Sequence, residues 1–234
     1  MLNKIKKDFL KAQDKKKAKL LAGFFKTGKG QYGEGDVFLG IIVPKQRAIA
    51  KKYSDLSLIN CQKLLKSKIH EYRLTALLIL VGQYKKSDWP KRKKIFDFYC
   101  RNFKYINNWD LVDLSAPNIT GHYLYNQSGG PLIKRWIKSD HLWTKRIGLL
   151  STAYFIKNKQ FNEILSAARL LLKDRHDLIH KASGWMLREA GKKDGQVLTK
   201  FLDQNFRQMP RTMLRYAIEK FPEKKRQHYL KTSK

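Results

Sequence analysis

The chain has 234 residues, enough for one domain with a hydrophobic core or for two small ones. Fifty Lys and Arg against 19 Asp and Glu leave a formal charge of +31, while 42% of the residues are hydrophobic and 12% aromatic. This mixture excludes a disordered basic tail and points to a folded cation whose partners are polyanions, nucleic acid before acidic membrane surfaces.

In chain order, residues 1–19 are strongly basic and predict an N-terminal helix, with neither the apolar run nor the cleavage site of an export signal behind it. Residues 28–40 carry five glycines and predict a loop. Pro44 then opens a short basic helix over 43–53 that carries Arg47 and Lys51. Apolar stripes at helical spacing follow at 64–65, 74–84, 95–105, 132–137, 147–156, 164–172, 182–190 and 213–218, broken by a second loop at Ser128-Gly129-Gly130-Pro131. Alternating strand-like runs are missing, so the expected class is all-α. The longest apolar run, 74–81, falls far short of the roughly 20 residues that cross a membrane.

The helical stretches echo one another. Arg73, Trp109, Arg146, Lys181 and Arg211 occupy matching places, spaced 36, 37, 35 and 30 residues apart, as in stacked helix pairs of HEAT or armadillo type. The expectation is a single solenoid domain over 1–234, with about one cation per repeat lining a concave basic groove.

Several tempting motifs fail on context. Gly28-Lys29-Gly30-Gln31-Tyr32-Gly33 spells GxGxxG, and 23–29 spells part of a P-loop, but no strand precedes them and no Ser or Thr follows Lys29. Cys61 and Cys100 have no CxxC partner, and His176 and His180 lack a third ligand, so neither metal nor cofactor is expected. Cysteine usage suits a reducing, cytoplasmic setting.

The chemistry-bearing residues are aromatic and ionic neighbours. Trp109 and Asp113 stand four apart and share a helix face; Trp143 and Arg146, and Trp185 and Arg188, stand three apart. Arginines suit phosphates. A carboxylate in a DNA groove does not, so Asp113 is either an ion-pair partner of Arg146 or Arg188, or is kept for a cationic substrate or transition state. Core anchoring for the indoles, and a helix N-terminal role for Asp110, remain open beside this.

Phe38-Leu39-Gly40 with Val43-Pro44-x-x-Arg47, Trp109-Asp110-x-Val112-Asp113, Trp143-x-x-Arg146, and Gly184-Trp185-x-Leu187-Arg188-Glu189 together resemble the AlkD family of bacterial alkylpurine DNA glycosylases. The likeness runs from about residue 20 to about residue 229. It implies a HEAT-like all-α solenoid that holds duplex DNA and releases N3- or N7-alkylated purines, as a monomer without a cofactor. It carries a catalytic role over to Trp109, Asp113 and Trp185, and lesion contacts to Arg146 and Arg188. The helix with Arg47 and Lys51 corresponds to the family's minor-groove helix; Trp143, Lys181 and Arg211 are further expected DNA contacts. Residues 28–36 read as an insertion. Two rivals stand beside this reading: a non-catalytic HEAT-like binder of duplex or branched DNA, and an adaptor for RNA or an acidic protein.

Overall fold

The computed structural model describes residues 1–232, and among these the secondary structure is helical, with one isolated parallel bridge between Val37 and Ile69. The chain divides into two compact units, Met1–Ser115 and Ala116–Lys234.

The first unit contains α1 (Leu2–Ala12), α2 (Lys15–Phe24), α3 (Val43–Lys52), α4 (Leu58–Leu65), α5 (His70–Lys86), α6 (Trp89–Arg101) and α7 (Trp109–Ser115). The basic N-terminal stretch, expected as one helix over 1–19, forms two. Gln13 adopts extended backbone, and the Asp14 side chain caps α2 by accepting from the Lys17 amide at 3.1 Å. Ile5 and Phe9, four apart, are the buried face of α1. α5 is the hub: α3, α4, α6 and α7 all pack on it. It is accordingly buried around most of its circumference, with Leu74, Leu77, Leu80 and Tyr84 in the core. Burying each such leucine contributes about 1.5–3 kcal/mol before the cost of ordering it.

The second unit contains a π-helical turn (Pro117–Gly121), α8 (His122–Tyr125), α9 (Gly130–Ile137), α10 (Leu142–Lys157), α11 (Asn162–Leu170), α12 (Asp177–Lys193), α13 (Gly195–Asn205), α14 (Arg211–Ala217) and α15 (Glu223–Thr232). α10 packs on α12 and α12 on α14, while α9 and α11 cover α10 and α13 covers α12. The three inner helices start 35 and 34 residues apart, at Leu142, Asp177 and Arg211, so the repeat spacing visible in the sequence is a stacking period here. Gly184 permits the closest approach: a Cβ there would lie 2.3 Å from the Met213 carbonyl oxygen. Among the described residues no helix is long and apolar enough to cross a membrane.

Candidate functional site

The site in the first unit is built on the stretch between α2 and α3, which folds back over the starts of α5 and α7. The acid in the first turn of α5, Glu71, is buried, and its carboxylate accepts from the amides of Leu39 (3.0 Å), Gly40 (2.8 Å) and Ile41 (3.2 Å). A buried carboxylate collecting amide donors fixes their backbone firmly. Gly40 has φ +82, and a Cβ on it would lie 2.0 Å from the Asp14 carbonyl oxygen, so the Phe38-Leu39-Gly40 motif seats this stretch against α2. The Val37 amide donates to the Lys68 carbonyl and the His70 amide to the Val37 carbonyl, both at 2.9 Å.

Above this seat lies a buried ionic cluster that sequence reasoning missed. Nδ1 of His70 faces Asp36 at 3.1 Å and Nε2 faces Asp110 at 2.8 Å, with the His70 and Asp36 side chains each only 2% exposed. Arg73 pairs with the same oxygen of Asp36, and Asn108 Nδ2 reaches it at 3.5 Å. Burial works against a charged His70, but the hydrogen bonds that its ring nitrogens make to Asp110 and Asp36 outweigh it and its pKa is raised. Burial likewise opposes the Asp36 carboxylate, yet His70 and Arg73 hold its pKa below the usual value. The imidazole thus sits between two carboxylates. Arg73, expected to line a cationic surface, is instead an internal counter-ion, because Asp36 is delivered to it by the folded-back stretch.

Trp109 starts α7 beside this cluster. Its amide donates to Asn108 Oδ1 at 2.8 Å, and its indole N–H donates to the Tyr32 hydroxyl at 3.2 Å. Phe25 stacks on the Trp109 ring at 5.2 Å and 17°, and on Phe38 at 5.0 Å and 19°; Phe24 meets the indole edge-on at 5.9 Å. Asp113, one turn along α7, is half-buried, and its charge helps burial to push the Tyr99 phenol upward. Trp109 and Asp113 therefore sit at the expected four-residue spacing on one short helix.

Arg47 and Lys51 are exposed on α3 and line a cleft of about 650 Å³ with Gly82, Lys86 and Lys91. Only one carboxylate, Asp55, lines the same cleft.

In the second unit the expected residues fall into two groups. Trp143 and Arg146 on α10 are 6% and 4% exposed, and the Arg146 guanidinium donates to the Leu178 carbonyl at 2.6 Å, tying α10 to the first turn of α12. Little of either reaches the surface where they were expected. Trp185, Arg188, Lys181 and Arg211 are more open. The Trp185 indole donates to Glu189 at 3.2 Å, Arg188 pairs with Glu219, Lys181 pairs with Asp177 at 2.7 Å, and Arg211 donates to the Leu230 carbonyl at 2.7 Å.

No thiol is activated: burial pushes Cys61 and Cys100 up to about 12. Both imidazole nitrogens of His70 are taken by carboxylates, and among the described residues no group of His, Cys, Asp or Glu is arranged to hold a metal ion.

Stacked helix pairs without a sheet among the described residues, in a chain of this charge, define an all-α helical-repeat protein. The profile of the family described as DNA alkylation repair enzyme matches residues 5–221, and the chain belongs to that family, which implies DNA binding. The structure is similar to that of a protein described as a predicted DNA alkylation repair enzyme from Enterococcus faecalis. That likeness has 15% identity and a TM-score of 0.72, and covers 90% of this chain and 97% of that one. It is also similar to AlkD2 from Streptococcus mutans, with 18% identity and a TM-score of 0.57, covering 89% and 99%. At such identities the likeness concerns the fold alone. No curated protein sequence matches the chain.

Proposed function

We propose that this protein is a monofunctional DNA glycosylase that hydrolyses the N-glycosidic bond of N3- or N7-alkylated purines in duplex DNA and leaves the strand intact. The observation that carries the reading is the pairing of an indole and a half-buried carboxylate, Trp109 and Asp113, on one short helix of a +31 protein of the DNA alkylation repair family.

An alkylated purine is already a cation. When the bond from C1′ to the base nitrogen breaks, the electron pair neutralises the base and positive charge moves onto the sugar, so no acid is needed for the leaving group. A fixed anion aimed at that developing charge is the most effective catalyst available. Asp113 stabilises the oxocarbenium-like sugar and positions the water whose oxygen adds to C1′. Trp109 offers a π face to the cationic nucleotide, contributing on the order of 0.5–2 kcal/mol. Arg47, Lys51, Lys181, Arg188 and Arg211 hold phosphates, the last three exchanging the internal acceptors they now use. Arg146 acts indirectly by tying α10 to the first turn of α12, and Trp143 is buried on the same helix. The lesion stays stacked in the duplex, and the protein works as a monomer without a cofactor.

The test is base release from duplex DNA carrying N7-methylguanine. Wild type is expected to free the base and leave an unbroken abasic strand, and Asp113→Asn to lower the rate by at least about 100-fold. Equal release from Asp113→Asn, or none from wild type, overturns the reading.

A further inference from the structure

The glycine-rich segment, which the proposed reaction leaves without a role, makes direct contact with the proposed catalytic indole. We propose that residues 25–36 form a positioning element for Trp109, with Tyr32 and Phe25 fixing the orientation of its indole; this rests on the glycosylase reading above.

A tryptophan at the first position of a seven-residue helix has little helix around it to hold its side chain. Here two contacts from far away in sequence do so. The Tyr32 hydroxyl accepts the indole N–H at 3.2 Å, across 77 residues, and Phe25 lies nearly parallel to the ring at 5.2 Å. An acceptor on the N–H also feeds electron density into the indole, which deepens the negative π face that a cationic nucleotide would meet.

The backbone of the segment is shaped for this reach. Gly33 lies so close to Phe25 that a Cβ would come within 2.3 Å of the Phe25 carbonyl oxygen, so glycine is what lets the chain double back and set Tyr32 beside the ring Phe25 covers. Gly30 and Gly35 have φ of +74 and +84, and the Gly30 amide donates to Glu34 at 2.8 Å, closing the turn on itself. The far end is anchored on both flanks of Trp109. Asp36 binds Asn108, the residue before it, and through His70 is joined to Asp110, the residue after it. A segment that served only to cover the core would need neither the hydroxyl of Tyr32 nor this double anchorage.

Tyr32→Phe removes the hydroxyl and keeps the ring. Two readouts are taken on the full chain: the ¹⁵N–¹H resonance of the Trp109 indole, assigned by its disappearance in Trp109→Phe, and the single-turnover rate and half-saturating enzyme concentration on N7-methylguanine duplex. The indole resonance is expected to move and the rate to fall about five- to tenfold, as for the loss of one hydrogen bond that matters in the transition state, with half-saturation little changed. An active wild type with an unchanged Tyr32→Phe rate overturns the inference alone, whether or not the resonance moves, because the contact is then merely structural. An inactive wild type overturns the glycosylase reading and the inference with it.

Discussion

The two compact units differ in how deeply their ion pairs are buried. In the first, beside exposed local pairs such as Lys17 with Asp14 and Lys93 with Asp97, the residues Asp36, His70, Arg73 and Asp110 form a cluster that is buried except at the edge held by Asp110, joining residues 34 to 40 apart. In the second, Lys181 with Asp177, Lys192 with Glu189 and Arg226 with Glu223 are exposed pairs within a single helical turn, while Lys145 with Asp174 and Arg188 with Glu219 reach across 29 and 31 residues. A buried cluster cannot lose one partner without stranding a charge, whereas exposed local pairs form and break cheaply. The first arrangement fixes the architecture around Trp109, and the second leaves cations that can trade a carboxylate for a phosphate.

The strongest test of that contrast is Asp36→Asn, which strands Arg73, leaves His70 with Asp110 alone and should lower unfolding stability by about 3–5 kcal/mol, read from urea midpoints. A loss below about 1 kcal/mol would place the cluster in the exposed, local category instead.

Next comes pH. Because the pKa of His70 is raised in the folded state, its contribution is fully present below its unfolded value, about 6.5, and is lost as pH rises through the folded value. The stability gap between wild type and His70→Gln should therefore be widest near pH 6 and narrow on the alkaline side. A gap constant from pH 6 to pH 9 would mean that the imidazole is not charged in the fold.

On the DNA side, Arg47 and Lys51 project from one face of α3 into a cleft nearly without acids. Replacing both by Ala should make the salt dependence of duplex binding shallower by about two units. An unchanged slope would remove α3 from the interface. The smallest effect belongs to Lys181→Ala, expected to change stability by less than about 0.5 kcal/mol, since its partner Asp177 is one turn away and exposed.

Local signals account for what was readable in advance. Pro44 at a helix start, the apolar stripes and the roughly 35-residue echo all depend on neighbours a few positions apart, and the structure places helices at each. Trp109 and Asp113 were legible for the same reason, since four-residue spacing on a helix needs no tertiary knowledge. His70 was one of six histidines with no motif around it. Its only hint was the His70-Glu71-Tyr72-Arg73 start of α5, which sets His and Arg three apart without saying that Asp36 would arrive between them. The break of the N-terminal helix at Gln13 and Asp14 escaped notice because lysines on both sides mask a capping acid.

The sequence by itself determined the all-α class, the polyanionic partner and the helix that carries the indole and carboxylate, because charge and helical period are summed from local residues. Tertiary structure decided which cations are available. Arg73 and Arg146 look like any other basic repeat position, yet one is neutralised by an aspartate 37 residues upstream and the other is spent on a carbonyl 32 residues downstream. It also decided that the glycine-rich segment touches Trp109. That contact spans 77 residues and depends on where the chain doubles back, which no periodicity encodes.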